Sequence, residues 1–211
     1  MSKISLKHSG GNVVSLNSPP SAPTSADVAF KLPNADGTSG QALVTDASGN
    51  LSFAGTGKIL QVVSTTKTDT FSMNSGTYSD VTGLSVSITP SATSSKCLII
   101  VDMMGVTSDS TQGFFQLFRT SDDSALALGD AAGSRTRASF GPTYYYDTNA
   151  AHQFGINFLD SPNTTSAFNY KVQCRNQGNS ANVYVNRTHN DADSSTGGRY
   201  SSTITVMEVA A

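Results

Sequence analysis

The chain has 211 residues, with 13 basic and 15 acidic side chains and a formal net charge of −2. Nucleic-acid-binding proteins carry a basic surface, so this charge balance argues against a nucleic-acid partner. The longest unbroken apolar run, Cys97 to Val101, is far shorter than the roughly 20 residues that cross a membrane as a helix, so we expect no membrane insertion.

The choice of polar residues predicts an all-β protein. Nearly all acidic residues are aspartate, and Glu208 is the only glutamate. Helices favour Glu and Lys on their exposed faces, whereas Asp, Asn, Ser, Thr and Gly favour turns and strand ends.

Residues 1–14 lack the apolar segment of a signal peptide, so we expect synthesis in the cytoplasm without secretion.

Residues 1–57 are predicted to form an extended arm. Apolar alternations in residues 4–6 and 13–16 predict a small hairpin or an extended arm, and the proline-rich residues 18–25 predict a stiff spacer. Further along, turn signals at residues 34–37 and 46–50 separate three short extended pieces, because Gly and Asn accept a positive φ.

The arm contains apolar residues that it cannot bury by itself. An isolated pair of short strands is marginally stable in water, so this stretch must either pack against a partner surface or stay mobile. We therefore predict that the arm anchors the protein or joins copies of it. The residues assigned to this role are Val28, Phe30, Leu32, Leu43, Val44, Leu51 and Phe53.

From residue 58 onward, apolar and polar residues alternate with the period of two that is typical of half-buried strands. Strands are predicted at residues 59–63, 70–73, 84–88, 96–106, 114–119, 125–128, 135–140, 151–159, 167–174, 183–185 and 203–209. Such a series predicts a jelly-roll-like antiparallel β-sandwich, a fold that protects its sheet edges. The strand at 96–106 is the most apolar, and we expect it to be central and buried on both faces at its start, with Ile100 in the core.

No motif typical of a catalytic centre occurs, so we predict neither enzymatic activity nor a cofactor. Asp191 and Asp193 have a spacing that calcium loops use, but the glutamate that usually completes such a loop is missing, and we predict no metal site. Cys97 and Cys174 fall in predicted central strands and are interpreted as free, buried thiols rather than as a disulfide.

Residues 186–199 are the longest polar stretch of the predicted head, and they exceed what a hairpin needs. Long loops on a rigid β scaffold are common recognition sites. The donors and acceptors that would suit a polar ligand such as a surface glycan are His189, Asn190, Asp191, Asp193 and Arg199. Two alternatives stay open, a mobile loop without a role and a loop at a subunit interface.

Three consecutive tyrosines form a second candidate contact. In a strand, Tyr144 and Tyr146 would share one face, while Tyr145 would take the other. One face would enter the core, and the other would offer an aromatic platform to a neighbouring subunit or to a sugar ring. Tyr145 is therefore included among the possible receptor contacts.

Residues 30–53, FKLPNADGTSGQALVTDASGNLSF, are similar to a segment of small virion structural and tail-fibre proteins of marine tailed phages, especially those of cyanobacteria. In that group the segment lies between a virion-anchoring arm and a distal β-structured head. Residues 158–176, 183–191 and 201–210 resemble the last strands of the distal fibre-type domain. The resemblance implies a non-enzymatic fibre or spike component located in the virion, present as a homotrimer and attached through its arm to tail or capsid proteins.

Two other functions fit the same arrangement of arm and head. The first is a capsid decoration protein, in which the arm bridges capsid subunits. The second is a lectin-like module with its own sugar specificity. For a fibre or a lectin, the expected outward partner is a cell-surface glycan.

Overall fold

The structure is a computed structural model, and it describes residues 3–7, 10–11, 13–17, 30–38, 40–46, 48–55, 57–108, 111–143, 149–179 and 181–210. The chain divides into two compact units, Met1–Thr56 and Gly57–Ala211, here called the N-terminal unit and the head. All the regular secondary structure in the described ranges is β-strand, which confirms the all-β prediction.

The N-terminal unit contains two antiparallel hairpins. Strands β1 (Lys3–Lys7) and β2 (Val13–Asn17) form the first, and β3 (Gln41–Thr45) and β4 (Leu51–Gly55) form the second. Lys31 bridges Asn50 in parallel and so adds a short third piece beside β4. The predicted succession of extended pieces and turns is therefore present in residues 30–55.

Asp46 closes the turn between β3 and β4. Its Oδ1 accepts hydrogen bonds from the backbone N–H groups of Ser48 and Asn50 at 2.8 and 3.1 Å, and its Oδ2 accepts one from Asn50 Nδ2 at 2.6 Å. These bonds, with the Asn50 side chain contributing most, lower the pKa of Asp46. Gly49 has a φ of 85°, which explains the glycine in this turn.

The head contains eleven further strands. They are β5 (Ile59–Lys67), β6 (Phe71–Met73), β7 (Ser79–Ile88), β8 (Lys96–Thr107), β9 (Gly113–Arg119), β10 (Ser124–Leu126), β11 (Phe140–Thr143), β12 (His152–Asp160), β13 (Phe168–Asn176), β14 (Val183–Val185) and β15 (Ser202–Val209).

These strands form two sheets with jelly-roll topology. The first sheet has the order β5-β15-β8-β12, and β6 and β14 extend it beyond the ends of β5 and β15. The second sheet has the order β7-β13-β9, with β10 and β11 both on the far side of β9. The chain crosses repeatedly between the sheets, and the last strand inserts beside the first, as in a jelly roll. The predicted fold is confirmed.

The core lies between the two sheets, where alternate residues of each strand meet. Its buried members include Leu84, Val86 and Ile88 of β7, Ile99 and Val101 of β8, Phe115 and Leu117 of β9, Tyr170 and Val172 of β13, and Ile204 and Val206 of β15. Cys97 and Cys174 are buried and free, as predicted. Burial raises the pKa of the Cys174 thiol to about 12.

Two details of the strand prediction are wrong. Residues 135–139 are not a strand, and β11 begins at Phe140. β8 is central, but it is not buried on both faces at its start, because buried and partly exposed residues alternate from Cys97 to Val101. Ile100 accordingly lies on the outer face of the first sheet, and its neighbours Ile99 and Val101 are the core residues.

Glu208 is a buried charge at one end of the sandwich. Its Oε2 accepts a hydrogen bond from Gln61 Nε2 at 2.6 Å, and its Oε1 accepts two from Ser91, at 2.7 Å from N–H and 2.6 Å from Oγ. Burial alone would raise the pKa of Glu208, but the hydrogen bonds from Gln61, Ser91 and Ser95 outweigh it and lower the pKa to about 2. Glu208 thereby ties β15 to β5 and to the loop between β7 and β8.

Candidate functional site

The polar stretch at residues 186–199 forms a loop whose two limbs are joined by backbone contacts. Arg187 and Arg199 form an isolated antiparallel bridge, so the two limbs of the loop run side by side. Thr188 N–H donates to Gly198 O at 3.3 Å, and Tyr200 N–H donates to Asn186 O at 3.1 Å. Backbone pairing therefore holds the base of the loop.

Asn186 anchors the loop to the head. Its φ is 63°, a left-handed conformation that Asn adopts more readily than most residues. Its buried Nδ2 donates to Lys67 O and Asp69 O at 2.8 and 3.1 Å, and its Oδ1 accepts a hydrogen bond from Ser202 Oγ at 2.5 Å. The loop therefore starts from a fixed point beside the end of β5.

An aromatic and cationic stack supports the first limb. The Arg187 guanidinium lies 4.1 Å from the centroid of the Tyr184 ring, and the Tyr184 and His189 rings stack at 5.8 Å. Arg187 Nη2 also donates to His189 O at 2.6 Å. Arg187 and Tyr184 were not among the residues predicted from the sequence. Residues three apart do not share a face of a strand, so their spacing contained no signal of this contact.

Asp191 lies between two arginines. Its Oδ1 is 2.6 Å from Arg199 Nη2, and its Oδ2 is 3.3 Å from Arg187 Nη1. Partly exposed ion pairs of this kind contribute about 0–1 kcal/mol each. Asp191 and Arg199, both predicted as ligand contacts, therefore also hold the two limbs together.

The loop encloses a polar depression of about 420 Å³, lined by Thr188 and by residues 190–194 and 197–199. Four of the five loop residues named from the sequence, Asn190, Asp191, Asp193 and Arg199, therefore line one cavity, whereas His189 stacks on Tyr184. A Cβ atom at Gly198 would overlap the outer end of the Tyr200 side chain, so a larger residue here would displace that ring. A cavity this size accommodates a small molecule, and its polar lining suits a ligand rich in hydroxyl or amide groups.

The remaining predicted contact residues have different outcomes. Tyr145 and its two tyrosine neighbours lie outside the described residues, as does Val28 of the arm. Phe30, Leu32, Leu43 and Phe53 are exposed, with Leu32 at 79%. Val44 and Leu51 are half-buried.

The exposed apolar residues of the N-terminal unit form a second candidate site. Leu43 and Phe53 are opposite each other on one face of the β3-β4 hairpin. With Leu32 and residues 33–36 they line an open depression of about 340 Å³. Gly37 packs directly against the Phe53 ring, where a Cβ atom would overlap it. The hairpin thus presents an apolar surface suited to another protein surface.

Within the part of the chain that the structure describes, no three His, Cys, Asp or Glu side chains are grouped so that they could hold a metal ion. The described residues also include no helix long and apolar enough to cross a membrane. The chain matches no family model and no curated protein.

Proposed function

We propose that this protein is a non-enzymatic virion structural protein, a fibre or spike component of a tailed phage. The N-terminal unit attaches it to tail or capsid proteins of the particle, and the jelly-roll head projects outward. The similarity of residues 30–53 to the segment found in such proteins supports this assignment.

The observation that carries the proposal is the exposed apolar surface of the β3-β4 hairpin. Leu43 is 50% exposed and Phe53 39% exposed, and they are a cross-strand pair. Exposed apolar groups that line a depression mark a site of association. Either a particle protein or the hairpins of two further copies could cover this surface and bury both side chains, and the second arrangement would form the homotrimer that the resemblance implies.

The loop at residues 186–199 gives the head a means of recognition. Its polar cavity has the size of a small-molecule site, and the backbone pairing and the Asn186 anchor fix its shape before any ligand binds. A preformed cavity binds at a lower entropic cost than a mobile loop. We propose a cell-surface glycan as the ligand, an activity that a lectin-like module would share.

The test is the incorporation of matched variants into particles of the phage that encodes the chain. Phe53→Asp places a charge on the apolar face of the hairpin, and Ser52→Asp places the same charge on the opposite face of the same strand. Quantitative mass spectrometry of purified particles should find the Ser52→Asp protein at the wild-type level. The Phe53→Asp protein should be depleted by at least about tenfold, the effect of losing about 1.4 kcal/mol of binding energy.

Electron microscopy of particles with gold labels distinguishes a fibre from a decoration protein. One label is inserted in the loop at residues 194–196, and another is appended after β15, which ends beside the start of β5. A fibre places the loop label away from the particle, beyond the C-terminal label. Absence of the protein from particles, or normal incorporation of Phe53→Asp, would refute the proposal.

A further inference from the structure

The outer face of the first head sheet carries a continuous row of apolar side chains. Register pairs Leu159 with Leu98, Leu98 with Met207, and Met207 with Val62, so that one row of apolar side chains crosses all four strands. Val62 and Leu159 lie on the two outer strands of this row, and they are 55% and 49% exposed. We call these four residues the apolar row.

The apolar surface continues on both sides of the apolar row. Ile100 follows Leu98 on the outer face of β8, and Val209 follows Met207 on that of β15. Leu60 is exposed at the start of β5. The charged outward residues of these four strands are both on β8, where Lys96 is opposite Val209 and Asp102 follows Ile100.

The second head sheet has an outer face of the opposite character. Lys171 pairs with Asp80 at 2.9 Å, and Gln173 donates to the same carboxylate at 2.8 Å. Gln116 donates in turn to Gln173 Oε1 at 2.6 Å. Lys171 also lies 5.1 Å from the centroid of the Phe118 ring. This face satisfies its polar groups with each other and has the character of a solvated surface.

We propose that the outer face of the first head sheet is a contact surface between two copies of this chain. In a two-fold contact each residue faces the same surface of its partner, so a charged patch would repel itself. The apolar row itself carries no charge and can be apposed to its own copy without that cost. Two such sheets would pack face to face at about 10 Å, like the layers of a sandwich.

The dimensions favour a second copy over a smaller occupant. The whole face, with four strands spaced about 4.8 Å apart and eight residues of about 3.4 Å each, has a footprint of roughly 500 Å², which includes the polar and charged positions beside the apolar row. Two copies would bury roughly twice this area, the lower bound for a specific interface. A two-stranded hairpin such as β3-β4 would cover only half of the width of the apolar row.

Sedimentation velocity of the full chain at micromolar concentration tests the proposal. Two-fold contacts join copies in pairs, so the wild-type mass should be an even multiple of 22.0 kDa, a dimer or, where the hairpins also join the copies in threes, a hexamer. Val62→Lys combined with Leu159→Lys should halve that mass. Both positions are exposed in the single chain, where lysine is tolerated, but the contact would bury the two added charges. Thr82→Lys combined with Asn169→Lys adds the same charge on the second sheet and should leave the mass unchanged.

Circular dichroism verifies that each variant is folded, and Leu159→Asn provides a milder change that repeats the neighbouring outward residue Asn157. Because a two-fold contact loses the side chain twice, Leu159→Asn should raise the dissociation constant by about tenfold or more. A monomeric or odd-numbered wild type, an unchanged mass in the double lysine variant, or equal dissociation of the second-sheet control would each overturn the proposal. These readouts do not depend on incorporation into particles.

Discussion

Replacing Glu208 with glutamine should make the head less stable and less sensitive to acid. The glutamine has the same size, but it exchanges a charged acceptor of hydrogen bonds from Gln61, Ser91 and Ser95 for a neutral amide. Its NH₂ group would face either the Gln61 amide or the Ser91 N–H, which are themselves donors. One donor would therefore be left without an acceptor in a buried place.

The size of the effect follows from the pKa of Glu208. The pKa falls from 4.5 to about 2 on folding, and each pKa unit is worth about 1.4 kcal/mol, so the charged form contributes about 3 kcal/mol. A loss of that size should lower Tm by roughly 6–12 °C in a domain of about 150 residues.

The pH dependence has a definite sign. Because the folded-state pKa is depressed, the contribution is fully present above pH 4.5 and is lost as the pH falls toward 2. Urea unfolding of wild type and Glu208→Gln at a series of pH values should give curves about 3 kcal/mol apart near neutrality that converge in acid. Asp122, whose pKa the Arg119 guanidinium holds near 2, is present in both proteins and cancels from the difference.

A matched control separates this effect from a general loss of charge. Asp46→Asn removes an exposed carboxylate of the N-terminal unit and should leave head unfolding unchanged at every pH. If the wild-type and Glu208→Gln curves stay parallel down to pH 2, Glu208 does not stabilise the fold through its ionised form, and the reasoning fails.

Three further predictions concern the core, the loop anchor and the loop itself. Ile99→Asp should abolish cooperative unfolding, since desolvating an unpaired charge in the core costs several kcal/mol, whereas Ile100→Asp, on the outer face, should still fold. Equal behaviour of the two variants in thermal melts would refute the assigned faces. Asn186→Ala should destabilise the head by about 2–4 kcal/mol in urea titrations, because it loses buried hydrogen bonds and keeps a strained φ; an unchanged midpoint would show that the anchor is dispensable. Replacing residues 189–197 with a Gly-Ser linker should abolish binding on a glycan array without changing mass or Tm. Loss of the oligomer would instead place the loop at a subunit interface, and retained binding would refute recognition by the loop.

The strands of the head could be predicted because burial there follows a period of two. Leu84, Val86 and Ile88 alternate with polar residues, and all three are buried in the core. β8 misled the prediction since both of its faces are apolar at the start, which is also the pattern of a strand buried on both sides. The sequence pattern shows which positions of a strand are apolar, but it does not show whether a second layer covers the outer face.

The loop was recognised by its length and polarity, and its internal contacts could not be predicted. Asp191 and Arg199 are eight residues apart, and their ion pair depends on the bend that brings the two limbs together. The anchoring role of Asn186 depends on carbonyl groups more than a hundred residues earlier in the chain. Such contacts arise from tertiary structure, and local spacing does not encode them.

The adjacency of the first and last head strands determines how the head would bear force. Ile59 is paired with Val209, and Lys67 with Ser202, so the loop at residues 186–199 lies at the end of β5 opposite to Gly57. Tension between a ligand held by the loop and an anchor preceding Gly57 would run along β5 and β15. Their hydrogen bonds would then be loaded in shear, all at once, and would resist rupture better than bonds opened one after another.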